Sequence, residues 1–169
     1  MPPLPPGTFS AAECSGGACR GSAGRVTAVS LHFDTTPERT FEVLSEPRSY
    51  EDWVTGARSV EAADGTWPAP GSTFKHTQGI WPLVLADTTS VLRADPPRRL
   101  ELEARVRPFI VNHVVLELEP EDGGTRVTID ERPTGGLLEL PARLPPWPQL
   151  TQLRNLESLR RLRALAQRR

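Results

Sequence analysis

The chain has 169 residues, of which 24% are charged, and a formal net charge of -1 at pH 7. This length suits one domain with its own hydrophobic core. The near-neutral charge argues against nucleic acid as a partner, because nucleic-acid-binding proteins usually carry a strongly basic face. The sequence has no run of about 20 apolar residues and no basic-then-apolar leader. We therefore expect a cytoplasmic protein without integral membrane association.

The start of the chain is rich in proline and glycine and offers no apolar face. We predict a disordered tail over residues 1–24 and one domain over residues 25–169. Cys14 and Cys19 lie in this tail, and their spacing without a second pair or nearby histidines favours incidental thiols over a zinc or redox site. The three histidines of the chain show no metal-binding spacing. The sequence therefore predicts no metal and no cofactor.

The predicted domain begins with one strand and two short helices. Residues 25–33 alternate between apolar and polar positions, as a half-buried strand does. Thr36 then offers an N-cap oxygen and Pro37 suits the first helical position, so a short helix follows and ends before Pro47. The start signal recurs at Pro47, and a second short helix carries Trp53 on its apolar side.

Beyond Trp53 the hydrophobic period becomes two, which predicts strands. The predicted strands cover residues 57–62, 72–77, 83–92, 99–106, 110–119 and 125–132. Turn residues separate them, among them Asp64-Gly65, Gly79 and the run 122–124. Because such short links join antiparallel neighbours, we predict a curved antiparallel sheet of about seven strands.

A long helix is predicted from about Pro148 to the end of the chain, preceded by a proline-rich segment over residues 133–148 that we expect to be a mobile flap. Leucine recurs at every third position of the helix, at Leu150, Leu153, Leu156, Leu159, Leu162 and Leu165. At about 100 degrees per residue this row winds obliquely around the helix. Such a row suits diagonal packing across a twisted sheet.

Short motifs accompany this order of elements: FDTTPERTF at 33–41, YEDW at 50–53, PG at 70–71, DPPRRL at 95–100, GGTRVT at 123–128, GGLL at 135–138 and NLESLRRL at 155–162. From residue 26 onward the chain resembles the polyketide cyclase/dehydrase and lipid-transport family of the START-like, or SRPBCC, superfamily. The resemblance implies the α+β helix-grip fold of Bet v 1. In that fold a curved seven-stranded antiparallel sheet, with two short helices after strand 1, grips a long C-terminal helix.

The resemblance further implies a mainly apolar cavity between the sheet and the C-terminal helix. Members of the family hold sterols, lipids, polyketides, plant hormones or quinones there. The resemblance implies no catalytic residue shared by the whole family. Function must therefore be argued from the polar groups that this chain places inside the cavity.

Strand alternation predicts which polar side chains face the cavity. Asn112 shares the parity of the apolar positions in its strand, and Glu131 does so in the next strand. If residues 122–124 form a tight hairpin turn, Glu131 lies opposite Val114 and diagonal to Asn112. The two polar side chains would then meet.

His76 and Asp87 have inward parity on two further strands. We predict Glu131 or His76 as a general acid or base, because burial raises the pKa of a carboxyl group and imidazole titrates near neutrality. Either group could enolise a ketone or assist an aldol cyclisation and dehydration. The alternatives are that these side chains only orient a ligand, or that a one-residue register shift turns them to solvent.

Additional ligand contacts are predicted on the sheet, on the long helix and beside them. Besides Asn112 and Asp87 they are Phe74, Trp81, Val114, Leu116, Trp147, Leu153 and Leu156.

The first functional hypothesis is a protein that binds or carries a hydrophobic small molecule of lipid or polyketide character, as a monomer or homodimer. The alternatives are a polyketide cyclase/dehydratase-type enzyme and a protein-interaction module. Convergent ionisable groups in an open cavity would favour the enzyme hypothesis. An all-apolar cavity would favour the carrier hypothesis, and a collapsed interior would favour the interaction module.

Overall fold

The structure is a computed structural model that describes residues 27–61, 64, 66–80 and 83–168. The predicted tail with its two cysteines lies outside the described residues, and so does Trp81, a predicted ligand contact. The predicted first strand begins later than expected, at Val29.

Seven strands form one antiparallel sheet, as predicted. They are β1 (Val29–Phe33), β2 (Ala57–Val60), β3 (Thr73–Ile80), β4 (Leu83–Asp95), β5 (Arg99–Val106), β6 (Ile110–Glu121) and β7 (Gly124–Gly135). Their order across the sheet is β1-β7-β6-β5-β4-β3-β2. Each strand from β2 to β7 therefore pairs with its chain neighbour through a short connection, and β1 pairs with the last strand.

The turn between β6 and β7 fixes the register of these two paired strands. Asp122 and Gly123 both have positive φ, of 46° and 77°, a conformation that glycine adopts without steric cost. Glu131 is the register partner of Val114, as the hairpin predicted. Because side chains alternate between faces, Asn112 and Glu131 lie on the same face of the sheet.

The helices are α1 (Pro37–Leu44), α2 (Tyr50–Trp53), α3 (Glu139–Ala142) and α4 (Trp147–Arg168), with a 3-10 turn at Pro47–Ser49. The side chain of Thr36 caps α1 by accepting a hydrogen bond from the backbone N–H of Arg39 at 3.3 Å. Both α1 and α2 pack against α4. The predicted pair of short helices and the long final helix are therefore confirmed.

The core lies between the sheet and α4. On α4 the buried residues are Pro148, Asn155, Ser158, Leu159, Leu162 and Ala166, which repeat at helical spacing rather than every third position. Only the later leucines of the row face the sheet. Nine residues at about 100 degrees each make about two and a half turns, so leucines nine positions apart lie on opposite sides of the helix. Leu159 is fully buried, whereas Leu150 is 50% exposed and Leu153 is 65% exposed.

Candidate functional site

A cavity of about 150 Å³ lies between the concave face of the sheet and the helices α2 and α4. Six of its apolar lining residues are Tyr50, Trp53, Phe74, Leu102, Val114 and Ile129. Tyr50 is held by a hydrogen bond from its hydroxyl to the Leu44 carbonyl at 3.1 Å, and its ring packs against Trp53 and Phe74. Tyr50, Trp53 and Phe74 thus form one aromatic cluster among the residues that line the cavity.

His76 and Asp87 form one polar pair in the cavity wall. They are register partners on β3 and β4, with His76 Nε2 3.4 Å from Asp87 Oδ2. The two residues are only 5% and 2% exposed. Burial lowers the pKa of the imidazole and raises the pKa of the carboxyl group, while the charge of each partner opposes the shift of the other. The pair can therefore hold or release a proton inside the cavity.

Glu131 is the centre of a second polar group. Asn112 Nδ2 donates a hydrogen bond to Glu131 Oε1 at 2.8 Å, and the Arg154 guanidinium donates to Glu131 Oε2. The Glu131 side chain is 8% exposed and that of Arg154 is 38% exposed. Both carboxylate oxygens thus accept hydrogen bonds, so Glu131 fixes the positions of Asn112 and Arg154.

Arg154 connects the two polar groups electrostatically. Its pKa is raised mainly by the charge of Glu131, with a smaller contribution from Asp87, and burial opposes the shift. The negative field of Glu131 is also one cause of the raised pKa of Asp87. The charge of one arginine therefore acts on two carboxyl groups, and an additional anion in the cavity would be poorly compensated.

The helix side of the cavity supplies hydrogen-bond donors. Trp53 is 3% exposed and Asn155 is 2% exposed, and both line the cavity. Within the described part of the chain, neither Trp53 Nε1 nor Asn155 Nδ2 has a hydrogen-bond acceptor. Ser158, which also lines the cavity, is already engaged, since it accepts from the Thr55 N–H at 3.0 Å and donates to Thr55 Oγ1 at 3.1 Å.

The structure brings six predicted site residues together around the cavity: Phe74, His76, Asp87, Asn112, Val114 and Glu131. Four others lie elsewhere. Leu116 is fully buried in the hydrophobic core, and Leu156 is half-buried outside the cavity lining. Trp147 and Leu153 are 54% and 65% exposed, because the first turns of α4 direct these positions away from the sheet.

Sequence reasoning missed the contribution of α4 to the polar wall. Arg154, Asn155 and Ser158 line the cavity, whereas the leucine row was expected to do so. A signal was present in the sequence, because Asn155 shares a helix face with Leu159 and Leu162 at intervals of four and seven, and Ser158 precedes Leu162 by four. The stronger leucine pattern concealed it.

Among residues 27–61, 64, 66–80 and 83–168, no group of three or more His, Cys, Asp or Glu side chains is arranged to hold a metal ion. Within the same residues, no helix combines the length and the apolar character needed to cross a membrane.

Solved structures with similar folds come from several organisms. Ara h 8.0201 is 13% identical, with a TM-score of 0.65 over 84% of this chain and 97% of that one. A protein from Thermus thermophilus is 14% identical, with a TM-score of 0.63 over 83% and 96% of the two chains. A protein from Chromobacterium violaceum is 19% identical, with a TM-score of 0.60 over 82% and 96%. At these identities the likeness establishes the fold.

No curated protein matches this chain. The family model described as "Polyketide cyclase / dehydrase and lipid transport" matches residues 25–167, which is nearly the whole chain. Family and fold are both compatible with binding of a hydrophobic ligand. The chain therefore belongs to the polyketide cyclase/dehydrase and lipid-transport family, within the SRPBCC superfamily with its Bet v 1-like helix-grip fold.

Proposed function

We propose that the protein binds a small hydrophobic molecule with one polar group, of lipid or polyketide character, in the cavity between the sheet and α4. The observation that carries the proposal is the composition of the cavity wall. Aromatic and aliphatic side chains make up most of it, and the His76–Asp87 and Glu131–Arg154 pairs add a few fixed polar groups. Ligand sites typically combine a mainly apolar wall with a few fixed polar groups.

The dimensions of the cavity support a ring-sized ligand or the ring-sized end of a longer one. Its volume is about 150 Å³, and an apolar cavity of about this volume in another protein accommodates benzene. Burying one aromatic ring against Tyr50, Trp53 and Phe74 would remove apolar surface from water on both partners.

Binding can be tested without knowing the natural ligand. Native mass spectrometry of freshly purified protein should detect a bound small molecule, and organic extraction should release it for identification. Ala104 lines the cavity on β5, whereas Ala164 is exposed on α4. Ala104→Phe should fill the cavity and abolish binding of the extracted molecule, and Ala164→Phe should leave it intact. Equal binding by both variants would place the ligand elsewhere and contradict the proposal.

We propose as the second candidate function acid/base catalysis on the bound molecule, as in a polyketide cyclase/dehydratase-type enzyme. The buried His76–Asp87 pair, only 3.4 Å apart in the cavity wall, favours it. Such a pair could take a proton from the carbon beside a ketone, and the enolate carbon could then attack a second carbonyl carbon to form a new carbon–carbon bond. Loss of water would complete an aldol condensation. Glu131, whose oxygens both accept hydrogen bonds, acts here as a positioning residue.

Exchange of hydrogen for deuterium in a bound ketone distinguishes acid/base catalysis from binding without catalysis. In D₂O, an enzyme of this kind should exchange the methyl hydrogens of acetophenone for deuterium faster than buffer does. His76→Gln should remove the acceleration and retain acetophenone binding, whereas His113→Gln, at a half-exposed histidine outside the cavity lining, should change neither. An unaccelerated exchange rate in the wild-type protein would leave binding as the only proposed function.

A further inference from the structure

We propose that the ligand presents a neutral carbonyl oxygen to two donors on the helix side of the cavity, Trp53 Nε1 and Asn155 Nδ2. This inference rests on the proposed binding function and adds to it the chemical class of the recognised group. Ketones, esters and quinones carry such an oxygen. The group would be recognised by side chains of α2 and α4, the two helices that pack against each other beside the cavity.

The two donors are buried and unused within the described residues. Trp53 is only 3% exposed and Asn155 only 2% exposed, yet the described residues offer no acceptor to the indole N–H or to the amide NH₂ group. Buried polar groups in proteins are nearly always hydrogen-bonded, so two such donors on one cavity need an explanation. By contrast, the Trp67 indole donates to the Leu44 carbonyl at 3.2 Å. An acceptor brought by the ligand to these N–H groups would satisfy them.

The orientation of the Asn155 amide follows from its neighbour. An Arg154 guanidinium nitrogen lies 3.4 Å from Asn155 Oδ1. Because guanidinium only donates hydrogen bonds, the amide oxygen must be the atom that faces Arg154. The Asn155 NH₂ group is consequently the part of the amide left for the cavity. The Trp53 indole can likewise only donate.

Charge and hydrogen-bond capacity select a neutral carbonyl from the possible acceptors. A carboxylate ligand would add a third anion near Asp87 and Glu131, where Arg154 is the counter-charge that lines the cavity. A hydroxyl oxygen can also accept two hydrogen bonds, but its own proton then needs a further acceptor, which a carbonyl group does not require. A carbonyl oxygen carries two lone pairs and no proton, so it can accept from both Trp53 and Asn155. These two donors therefore match a ketone-like group best.

Three probes of nearly identical shape test the inference: acetophenone, α-methylstyrene, in which CH₂ replaces the carbonyl oxygen, and benzoate. We expect acetophenone to bind at least about tenfold more tightly than α-methylstyrene, since one net hydrogen bond to a satisfied donor has about that effect on Kd. Benzoate should bind more weakly than acetophenone. In a ¹H–¹⁵N spectrum acetophenone should shift the Trp53 indole resonance downfield and leave that of Trp67 in place.

Two variants assign the effect to the donors. Asn155→Leu should weaken acetophenone binding about tenfold and change α-methylstyrene binding less than about twofold. Trp53→Phe also alters the apolar wall, so it should weaken binding of both probes, and that of acetophenone about tenfold more. If acetophenone and α-methylstyrene bind the wild-type protein equally, the carbonyl inference is overturned and the proposed binding function stands. If none of the three probes binds, the binding function itself is contradicted, and the inference with it. Should either variant fail to fold, the wild-type comparison and the indole resonance decide the question.

Discussion

His76 and Asp87 face each other across β3 and β4, with 3.4 Å between Nε2 and Oδ2, and both side chains are almost completely buried. Burial alone would strongly disfavour a charge on either group. The negative charge of Asp87 raises the pKa of His76 against this burial. Each partner therefore determines how readily the other is charged, and Glu131 and Arg154 lie near enough to influence Asp87 and each other.

Asp87→Asn should lower the pKa of His76 further than in the wild-type protein, because the substitution removes the opposing charge and leaves the burial. An NMR titration of the imidazole Cε1–H resonances measures this shift. Glu101→Gln is the matched control, since Glu101 contacts the half-exposed His113 at 3.2 Å and does not contact His76. An unchanged or higher pKa of His76 in Asp87→Asn would mean that the pair is not coupled.

The same variant should lose stability on acidification. In Asp87→Asn the folded state keeps His76 neutral below its ordinary pKa of 6.5, whereas the unfolded chain takes up a proton there. The unfolded state thus binds more protons, so the free energy of unfolding falls as the pH drops through 6.5 toward the folded pKa. The loss amounts to about 1.4 kcal/mol for each unit by which the pKa is lowered. Urea unfolding at several pH values measures it, and adding His76→Phe should abolish that part of the loss.

Replacing Arg154 should lower the free energy of unfolding more than replacing Glu131, although both substitutions break the same ion pair. Arg154→Met leaves a carboxylate that is only 8% exposed without its cationic partner, and we expect a loss of about 2–3 kcal/mol. Glu131→Gln leaves Arg154 without its carboxylate partner, but Arg154 is 38% exposed and can turn toward water. Because solvent screens this charge, the expected loss of unfolding free energy is only about 1 kcal/mol. Urea unfolding at pH 7 compares the two variants. Arg161→Met, at a surface pair, is the control and should change stability by less than about 0.5 kcal/mol. The reverse order of losses would contradict the burial argument.

Replacing the two cavity asparagines by leucine should have opposite effects. Asn155→Leu removes a buried donor without an acceptor among the described residues, so we expect a stabilisation of about 1 kcal/mol and a Tm about 2–4 °C higher. Asn112→Leu removes the donor to Glu131 Oε1 and should destabilise the protein by about 1–3 kcal/mol. Both substitutions keep the number and branching of the side-chain heavy atoms and add the same volume, so calorimetry of the two variants compares the hydrogen bonds. A loss of stability in Asn155→Leu would indicate that its amide is satisfied in the folded protein.

The contact between Asn112 and Glu131 could be predicted because the turn at Asp122 and Gly123 set the register of its hairpin. The pairing of His76 with Asp87 could not. Gly79 was expected to form a turn, but the structure continues β3 through it to Ile80. Inward parity alone identifies the face of a strand and not the residue opposite, so the two side chains were assigned to the cavity without being assigned to each other.

The helical wall was harder to predict for a different reason. The repeat of leucine at every third position dominates the pattern of α4, and such a repeat rotates by about 60 degrees at each step. It therefore cannot reveal which part of the row faces the sheet. The phase of the helix is set by tertiary packing against the sheet and the short helices, with which Leu159 and Leu162 form one core cluster. Arg154 and Asn155 enter the cavity only because that phase turns Leu150 and Leu153 outward.

A pair of alanine substitutions tests this phase directly. Leu159→Ala removes a fully buried side chain from the core and should cost about 2–5 kcal/mol of unfolding free energy. Leu153→Ala changes a residue that is 65% exposed, so its cost should stay near or below about 0.5 kcal/mol. Urea unfolding of both variants gives the comparison, with the m-value confirming that the unfolded states are alike. Similar losses at the two positions would require a rotation of α4, and such a rotation would also remove Arg154 from Glu131 and Asn155 from the cavity.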